Sequence, residues 1–95
     1  MSKNIFTFQK NVASAGTPER LTSQTVDPDQ SVIIKAKSAN TGTITVGKNS
    51  SDAAHSGTAH FKLEANEGLE LKVHNTNQIW IDATVNGEGV EVAIG

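Results

Sequence analysis

The sequence predicts an all-β domain, a small antiparallel β-sandwich or jelly roll of about seven to eight strands with an extended N-terminal arm. Three observations favour this fold. Apolar and polar residues alternate with a period of two, turn residues separate the alternating segments roughly every 8–12 residues, and no segment of helical length has a 3.6-residue period. With 95 residues the chain has room for one domain, which we divide into the arm, residues 1–16, and the sandwich, residues 17–95.

The predicted arm begins with the strand-like segment Ile5–Phe8 and continues through small residues to Pro18. Two placements are open for it. The arm pairs with an edge of its own sheet, or it adds a strand to a neighbouring subunit or to a different protein. In either placement Phe6 and Phe8 would anchor it.

Five segments show the alternation most clearly. In the first, residues 31–37, one face consists of Val32, Ile34 and Ala36, and the other of Ile33, Lys35 and Lys37. The apolar faces of the other four segments consist of Ile44 and Val46; Leu69, Leu71 and Val73; Ile79, Ile81, Ala83 and Val85; and Val90, Val92 and Ile94. Each segment is therefore predicted to be a strand with one buried face.

Turn residues separate these strands. Asn86-Gly87 tolerates the positive φ angles of a tight turn, which predicts a hairpin from Val85 to Val90. Asn40-Thr41-Gly42 is a second turn of this kind. Pro28 lacks an amide donor and is expected to end a strand spanning residues 21–26.

The stretch from Gly47 to Gly57 is the longest one without alternation, and it is predicted to be a loop. Residues 52–55 within it are compatible with a single helical turn. A short strand is expected to follow at residues 58–63, with a turn at Glu67-Gly68 after it.

Charge and composition exclude several classes of protein. The formal net charge is −2, which argues against a nucleic-acid partner, and the absence of cysteine excludes disulfide-rich and cysteine–zinc modules. No apolar run is long enough to span a membrane, and the first ten residues lack the apolar stretch of a signal peptide, so we expect synthesis in the cytoplasm. Residues 1–48 carry a net +3 and residues 49–95 a net −5, which suggests either head-to-tail contacts between copies or charges solvated on different strands.

No catalytic or metal-binding motif is present in the sequence. His55, His60 and His74 lack the spacing of a metal site. Asp27 and Asp29 flank a proline as turn residues do, and the stretch 49–52 does not match a calcium loop. We therefore expect neither an enzyme nor a cofactor.

Trp80 is the most informative single residue. The residues Ile79 and Ile81 beside it face the predicted core, so its indole is expected on the outer face. Exposed tryptophans are common at binding hot spots, although an edge, the arm or the long loop covering the ring would explain it equally well.

Four segments together resemble small virion proteins of tailed bacteriophages. They are Thr17-Pro18-Glu19-Arg20-Leu21; Val32–Gly47, which contains Asn40-Thr41-Gly42 and ends in Val46-Gly47; Glu67–Leu71; and Ile79-Trp80-Ile81-Asp82-Ala83. The similarity is one of strand and turn order. It covers residues 17–94, with Asn66 where the family has a proline-bearing turn and Trp80 where tyrosine is commoner.

The resemblance implies a β-sandwich or jelly roll that assembles on phage particles as a capsid decoration or cement protein. Its partners would be the major capsid protein or other virion proteins, it would form homo-oligomers, with trimers favoured, and it would reside on the capsid surface. We expect the partner and oligomer contacts to involve Phe6, Phe8, Lys35, Lys37 and Trp80. The alternatives are a tail, fibre or adaptor component, and a glycan-binding accessory domain that uses the Gly47–Gly57 loop.

Overall fold

A computed structural model describes residues 5–55 and 61–95. Within these residues there are eight strands: β1 (Phe6–Asn11), β2 (Glu19–Arg20), β3 (Val32–Ala36), β4 (Ile44–Gly47), β5 (Phe61–Leu63), β6 (Gly68–Leu71), β7 (Trp80–Ala83) and β8 (Gly89–Ile94). A four-residue helix, α1 (Ser50–Ala53), follows β4, and a 3₁₀ turn at Thr76–Gln78 precedes β7. In the part of the chain that is described, no helix is long and apolar enough to cross a membrane.

The strands form two four-stranded antiparallel sheets. Sheet A has the order β1-β8-β3-β6 and sheet B the order β2-β7-β4-β5. Every hydrogen-bonded pair joins one of the first four strands to one of the last four, as expected when a long antiparallel ribbon is rolled into two Greek keys. The all-β sandwich prediction is confirmed, and its topology is that of a jelly roll.

The core lies between the sheets and consists of the predicted alternate residues. Val32, Ile34 and Ala36 of β3 are fully buried, and Val90, Val92 and Ile94 of β8 are buried beside them. Sheet B contributes Ile44, Val46, Ile79, Ile81 and Ala83. Leu69, Leu71 and Val73 pack against this core but are only half-buried, because β6 is an edge strand of sheet A in the described part of the chain.

The residues predicted as an arm include a strand of the sandwich. β1 pairs with β8 along its whole length, from Phe6 opposite Ile94 to Asn11 opposite Gly89, and Val12 after it is fully buried. Of the two placements open for the arm, the structure shows pairing within the chain. The sandwich therefore begins before residue 17.

Two of the predicted local elements are wrong. Asn86-Gly87 does form a turn, with Gly87 at φ 80°, but β7 and β8 belong to opposite sheets and make no hairpin. The turn instead bonds to the chain after β1, where the Gly87 N–H donates to the Val12 carbonyl at 2.7 Å. The strand predicted over 21–26 is replaced by the shorter β2 and a single bridge between Thr25 and Asn75.

The predicted loop after β4 contains the helical turn α1, which packs on the outer face of sheet B. The Asn49 side chain caps it by accepting the Asp52 N–H at 2.8 Å. Gly47 lies directly beneath: a Cβ there would come within 2.5 Å of the Ala53 backbone nitrogen. The buried Thr45 hydroxyl donates to the Ala53 carbonyl. The end of the loop and residues 58–60 of the strand predicted to follow lie outside the described residues.

The Thr45 hydroxyl is expected to hold α1 on the sheet. Thr45→Val keeps the shape of the side chain but leaves the Ala53 carbonyl without its donor, which is expected to cost about 1–2 kcal/mol of unfolding free energy. Urea unfolding followed by Trp80 fluorescence measures the loss. Thr22→Val at an exposed position is the control and is expected to stay within about 0.5 kcal/mol of the parent. An unchanged midpoint for Thr45→Val would show that the hydroxyl contributes nothing.

Candidate interaction surfaces

The five residues predicted to make partner contacts lie on three different surfaces. Lys35 and Lys37 are on the outer face of sheet A. Trp80 is on the outer face of sheet B, on the opposite side of the molecule. Phe6 and Phe8 alternate with outward-facing residues on the edge strand β1 and point to the inner side, where Phe8 packs against the core.

The outer face of sheet A has a groove of about 650 Å³ running across β1, β8 and β3. Ala93 lies at the middle of one cross-strand row, between Thr7 and Ile33. It forms the floor of the groove, and its short side chain leaves the space above it open. Ile33 is 49% exposed beside it. An apolar centre of this kind with polar neighbours is the usual anatomy of a protein-binding surface.

Charged residues border this groove. In the next row Lys35 pairs with Glu91 across β3 and β8 at 3.5 Å, and both side chains are about half exposed. In the row after Lys35 and Glu91, the Lys37 ammonium donates to the Asn11 side-chain oxygen at 2.8 Å. Gly89 of β8 lies between these two residues. Surface pairs of this kind contribute little to stability, so they are available to a partner at small cost.

The charges of the two halves of the sequence are interleaved in sheet A. The sheet order alternates strands from the first and second halves, so basic β3 lies between β8 and β6, which carry Glu91 and Glu70. The attraction between the halves therefore acts within one copy, as the Lys35–Glu91 pair illustrates.

Trp80 lies on the outer face of sheet B, as predicted, but its ring is partly covered. Arg20 is its cross-strand neighbour on β2, and the guanidinium carbon lies 5.5 Å from the ring centroid, a cation–π contact. On the other side the neighbour is Gly47, which has no side chain to cover the ring. The half-buried indole is thus held by the edge strand, one of the alternatives considered for it.

Asp82 is a buried polar residue that the sequence analysis did not identify. The alternation places it outward, next to Trp80, yet it is fully buried beneath α1 and the chain between β1 and β2. Its Oδ1 accepts the N–H groups of Gly16 at 3.0 Å and Ala83 at 2.8 Å. Its Oδ2 accepts the His55 N–H and, with the Nδ1–H tautomer, the His55 ring, both at 2.9 Å.

These bonds decide the charge of Asp82. Burial raises the pKa of its carboxyl, but the hydrogen bonds from His55, Ala83 and Gly16 outweigh burial and hold the pKa below its usual value. The carboxylate is therefore ionised and has all its donors within 3.0 Å. These hydrogen bonds tie two loops to the inner strand β7 of sheet B: the one between β1 and β2, through Gly16, and the one after α1, through His55. The outward position of an aspartate within an apolar strand was the one signal available in the sequence.

The histidines do not form a metal cluster in the part of the chain described. His55 is engaged by Asp82, and no group of three or more potential ligands occurs in residues 5–55 and 61–95. His60, the third histidine considered, lies outside the described residues.

A second, smaller cleft opens on the side of the sandwich where β5 and β6 are the edge strands. Its volume is about 260 Å³, and its walls include the inward residues Leu69, Leu71 and Val73 of sheet A with Val46 and Phe61 of sheet B. Phe61 is 66% exposed, although its position opposite Val46 points it inward. The cleft is mostly apolar because two edge strands leave their inner faces uncovered, and Lys48, Asp52 and Gln78 also line it. Phe61 and Leu69 were not among the predicted contact residues.

The fold and these surfaces define a small jelly-roll domain. No protein-family model matches the chain, and no curated protein matches its sequence. Among solved structures, the IMPa metallopeptidase from Pseudomonas aeruginosa contains a similar fold, with a TM-score of 0.58 and 17% identity. The match covers 96% of this chain and 12% of the metallopeptidase, so the chain spans about an eighth of that protein. At this identity the likeness shows the fold alone.

Proposed function

We propose that this protein is a non-enzymatic structural component of a phage virion that binds the outside of the major capsid protein shell and stabilises it. Its place is then the capsid surface, and its partners are shell subunits. The small β-sandwich and the residue pattern shared with small virion proteins support this proposal. A cement protein of this kind acts by adding buried area across the seams between shell subunits.

The observation that carries the proposal is the role of the residues on which the resemblance depends. The Asn40 side chain donates to the Gly89 carbonyl at 2.9 Å, and the next two N–H groups, of Thr41 and Gly42, donate to Glu88 at 2.7 and 2.8 Å. These bonds lower the pKa of the Glu88 carboxyl. The Asn-Thr-Gly turn is thus clamped to the start of β8.

The other shared residues are also scaffold positions. Gly47 makes room for α1, Leu21 is buried in the core, and Asp82 anchors two loops. Proteins that share one fold have structural residues of this kind in common, while the residues on their outer faces differ. The resemblance therefore supports a common architecture with virion proteins, and the outer faces supply the specific contacts.

The groove on sheet A is the surface we assign to the shell contact. It includes Lys35, one of the predicted contact residues, and Lys37 lies one row beyond. The centre of the groove consists of Ile33 and Ala93, which offer apolar area to a protein surface. The Lys35–Glu91 pair at its border offers paired charges.

The test is co-sedimentation of the purified protein with capsids of its phage that lack it. The parent protein is expected to sediment at a copy number of the same order as the shell protein. Ala93→Arg, which fills the groove floor with a long charged side chain, is expected to weaken binding at least about tenfold, or 1.4 kcal/mol. Ser51→Arg, at an exposed position of α1 on the opposite face, is the matched control and is expected to bind normally.

Parent protein that stays in the supernatant would contradict the proposal. Sedimentation in only a few copies per particle would instead place the protein in the tail. Equal binding by Ala93→Arg and the parent would move the contact to another face. Point variants are the right probes, because deleting residues 2–16 would remove β1 from sheet A.

A further inference from the structure

The sandwich has two lateral sides, each formed by one edge strand of each sheet. β1 and β2 form one side, and β6 and β5 form the other. We call them the β1 side and the β6 side. Among the described residues, neither β1 nor β6 has a strand partner on its outer edge. Unpaired edges are templates for strand addition unless charge or a covering segment protects them.

The β6 side exposes the apolar cleft. Leu69 and Leu71 are half-buried inner-face residues of β6, and Phe61 of β5 is 66% exposed across from them. The cleft volume is about 260 Å³. A cavity of about 150 Å³ already accepts a benzene ring, so this cleft has room for an aromatic side chain.

The β1 side exposes aromatic residues of matching kind. Phe6 is 43% exposed and Ile5 before it is 80% exposed. The rings of Phe6 and Phe8 lie with their centroids 6.0 Å apart on the inner side of β1. This end of β1 carries no charge in Phe6–Gln9. Its other end is protected by the inward Lys10, which pairs with Glu19 of β2 at 3.0 Å.

The strand directions and the cross-strand rows of sheet A allow the β1 side of one copy to join the β6 side of another. β1 and β6 are antiparallel to each other, since each of the three intervening pairings is antiparallel. If a second copy is placed beside the first in the same orientation, its β1 runs antiparallel to β6, and the sheet continues. The inner-face rows then extend across the seam, the first from Phe6 through Ile94 and Val32 to Leu71, and the second from Phe8 through Val92 and Ile34 to Leu69.

We propose that copies of this chain associate head to tail, with β1 of one copy pairing antiparallel with β6 of the next and with Phe6 and Phe8 packed against Leu71, Leu69 and Phe61. The outer-face row places Thr7 of one copy opposite Glu70 of the other, so no like charges meet. A heterologous contact of this kind closes into a ring when the rotation between copies permits, and copies that keep the same orientation continue as an open row.

The cysteine-free chain allows a direct test by cross-linking. In the Thr7→Cys/Glu70→Cys double variant, the two thiols of one copy are three strand spacings apart, about 14 Å, too far for an internal disulfide. Across the proposed seam they face each other. Mild oxidation of the purified protein is expected to give covalent dimers and trimers that reductant returns to monomers. The control, Thr7→Cys/Ser38→Cys, has its second thiol at an exposed position of the loop after β3 and is expected to cross-link at least about tenfold less.

Sedimentation velocity of the parent protein gives an independent measurement. We expect species larger than the monomer, and a shift to monomers in both Phe6→Lys and Phe61→Lys, one from each side of the seam. Circular dichroism confirms that each variant is folded. A parent protein that is monomeric up to millimolar concentration, or equal cross-linking of the two double variants, would overturn the proposal. These measurements use the isolated protein, so they stand apart from the capsid-binding test.

Discussion

Replacing Asp82 with asparagine is expected to lower the unfolding free energy by about 3 kcal/mol, although the side chain keeps its size. The carboxylate accepts two N–H groups on one oxygen and the His55 backbone and ring on the other. An amide offers one acceptor oxygen, so its NH₂ group must face at least one of these donors. Because a buried donor without an acceptor costs its full desolvation, the loss exceeds that of one ordinary hydrogen bond.

The effect of this substitution is expected to depend on pH. The pKa of Asp82 is lower in the folded than in the unfolded protein. Its contribution to stability is therefore fully present above the ordinary pKa of 3.8, and it is lost as the pH falls through the lower pKa of the folded protein. The difference in stability between the parent and Asp82→Asn is expected to shrink in acid, as the Asp82 carboxylate of the parent becomes protonated.

Urea unfolding at a series of pH values measures both effects. The control is Asp27→Asn, which makes the same change at an exposed aspartate. Its unfolding free energy is expected to lie within about 0.5 kcal/mol of that of the parent. Amide exchange adds a local readout: in Asp82→Asn the N–H groups of Gly16 and His55 are expected to exchange faster, while those of β3 follow global stability. A stability difference that stays the same down to pH 2 would show that the charge of Asp82 is not what matters.

Gly89→Ala is expected to be the most disruptive change of a single methyl group. A Cβ at this position would lie 2.0 Å from the Lys10 carbonyl oxygen and 2.6 Å from the Asn11 Cα. Both are backbone atoms of β1, so the strand itself has to move away from β8. We expect a loss of about 3 kcal/mol, which corresponds to a decrease in Tm of more than about 10 °C for a domain of this size.

The matched control is Gly68→Ala in β6. A Cβ there would lie 3.3 Å from the nearest atom, the Ile34 carbonyl oxygen, and its φ is not in the positive region, so a shift below about 1 kcal/mol is expected. Thermal melting compares the two variants, and faster amide exchange in β1 of Gly89→Ala would locate the damage. Equal melting temperatures would mean that β1 adapts without cost and that its close approach to β8 is unimportant.

The core was predictable because burial of a strand face leaves a period of two in the sequence. Val32, Ile34 and Ala36 illustrate this, and the same rule identified β8. The rule fails where a strand has a cover on its outer face as well. In β4, Thr45 is buried along with Ile44 and Val46, because α1 lies over it. Asp82 beside it on β7 is buried for the same reason.

The candidate surfaces were only partly predictable. Lys35 and the outward side of Trp80 follow from alternation, but the groove floor at Ala93 depends on which strands are neighbours of β8. Phe61 was not predicted, because its exposure follows from the position of β5 at the edge of sheet B. Nothing local in the sequence distinguishes an edge strand from a central one.

The fold class, the buried faces of β3, β4, β7 and β8, and the positions of the main turns could all be predicted from the amino-acid sequence. These depend on neighbouring residues and on the alternation of side chains along an extended chain. Three features depend on how the chain packs in three dimensions: the Asn86-Gly87 turn joins opposite sheets, β1 pairs with β8, and Asp82 is buried. The partners in these contacts are far apart along the chain, as Gly16 and Asp82 are, 66 residues from each other, and they meet only when the two halves pair strand by strand.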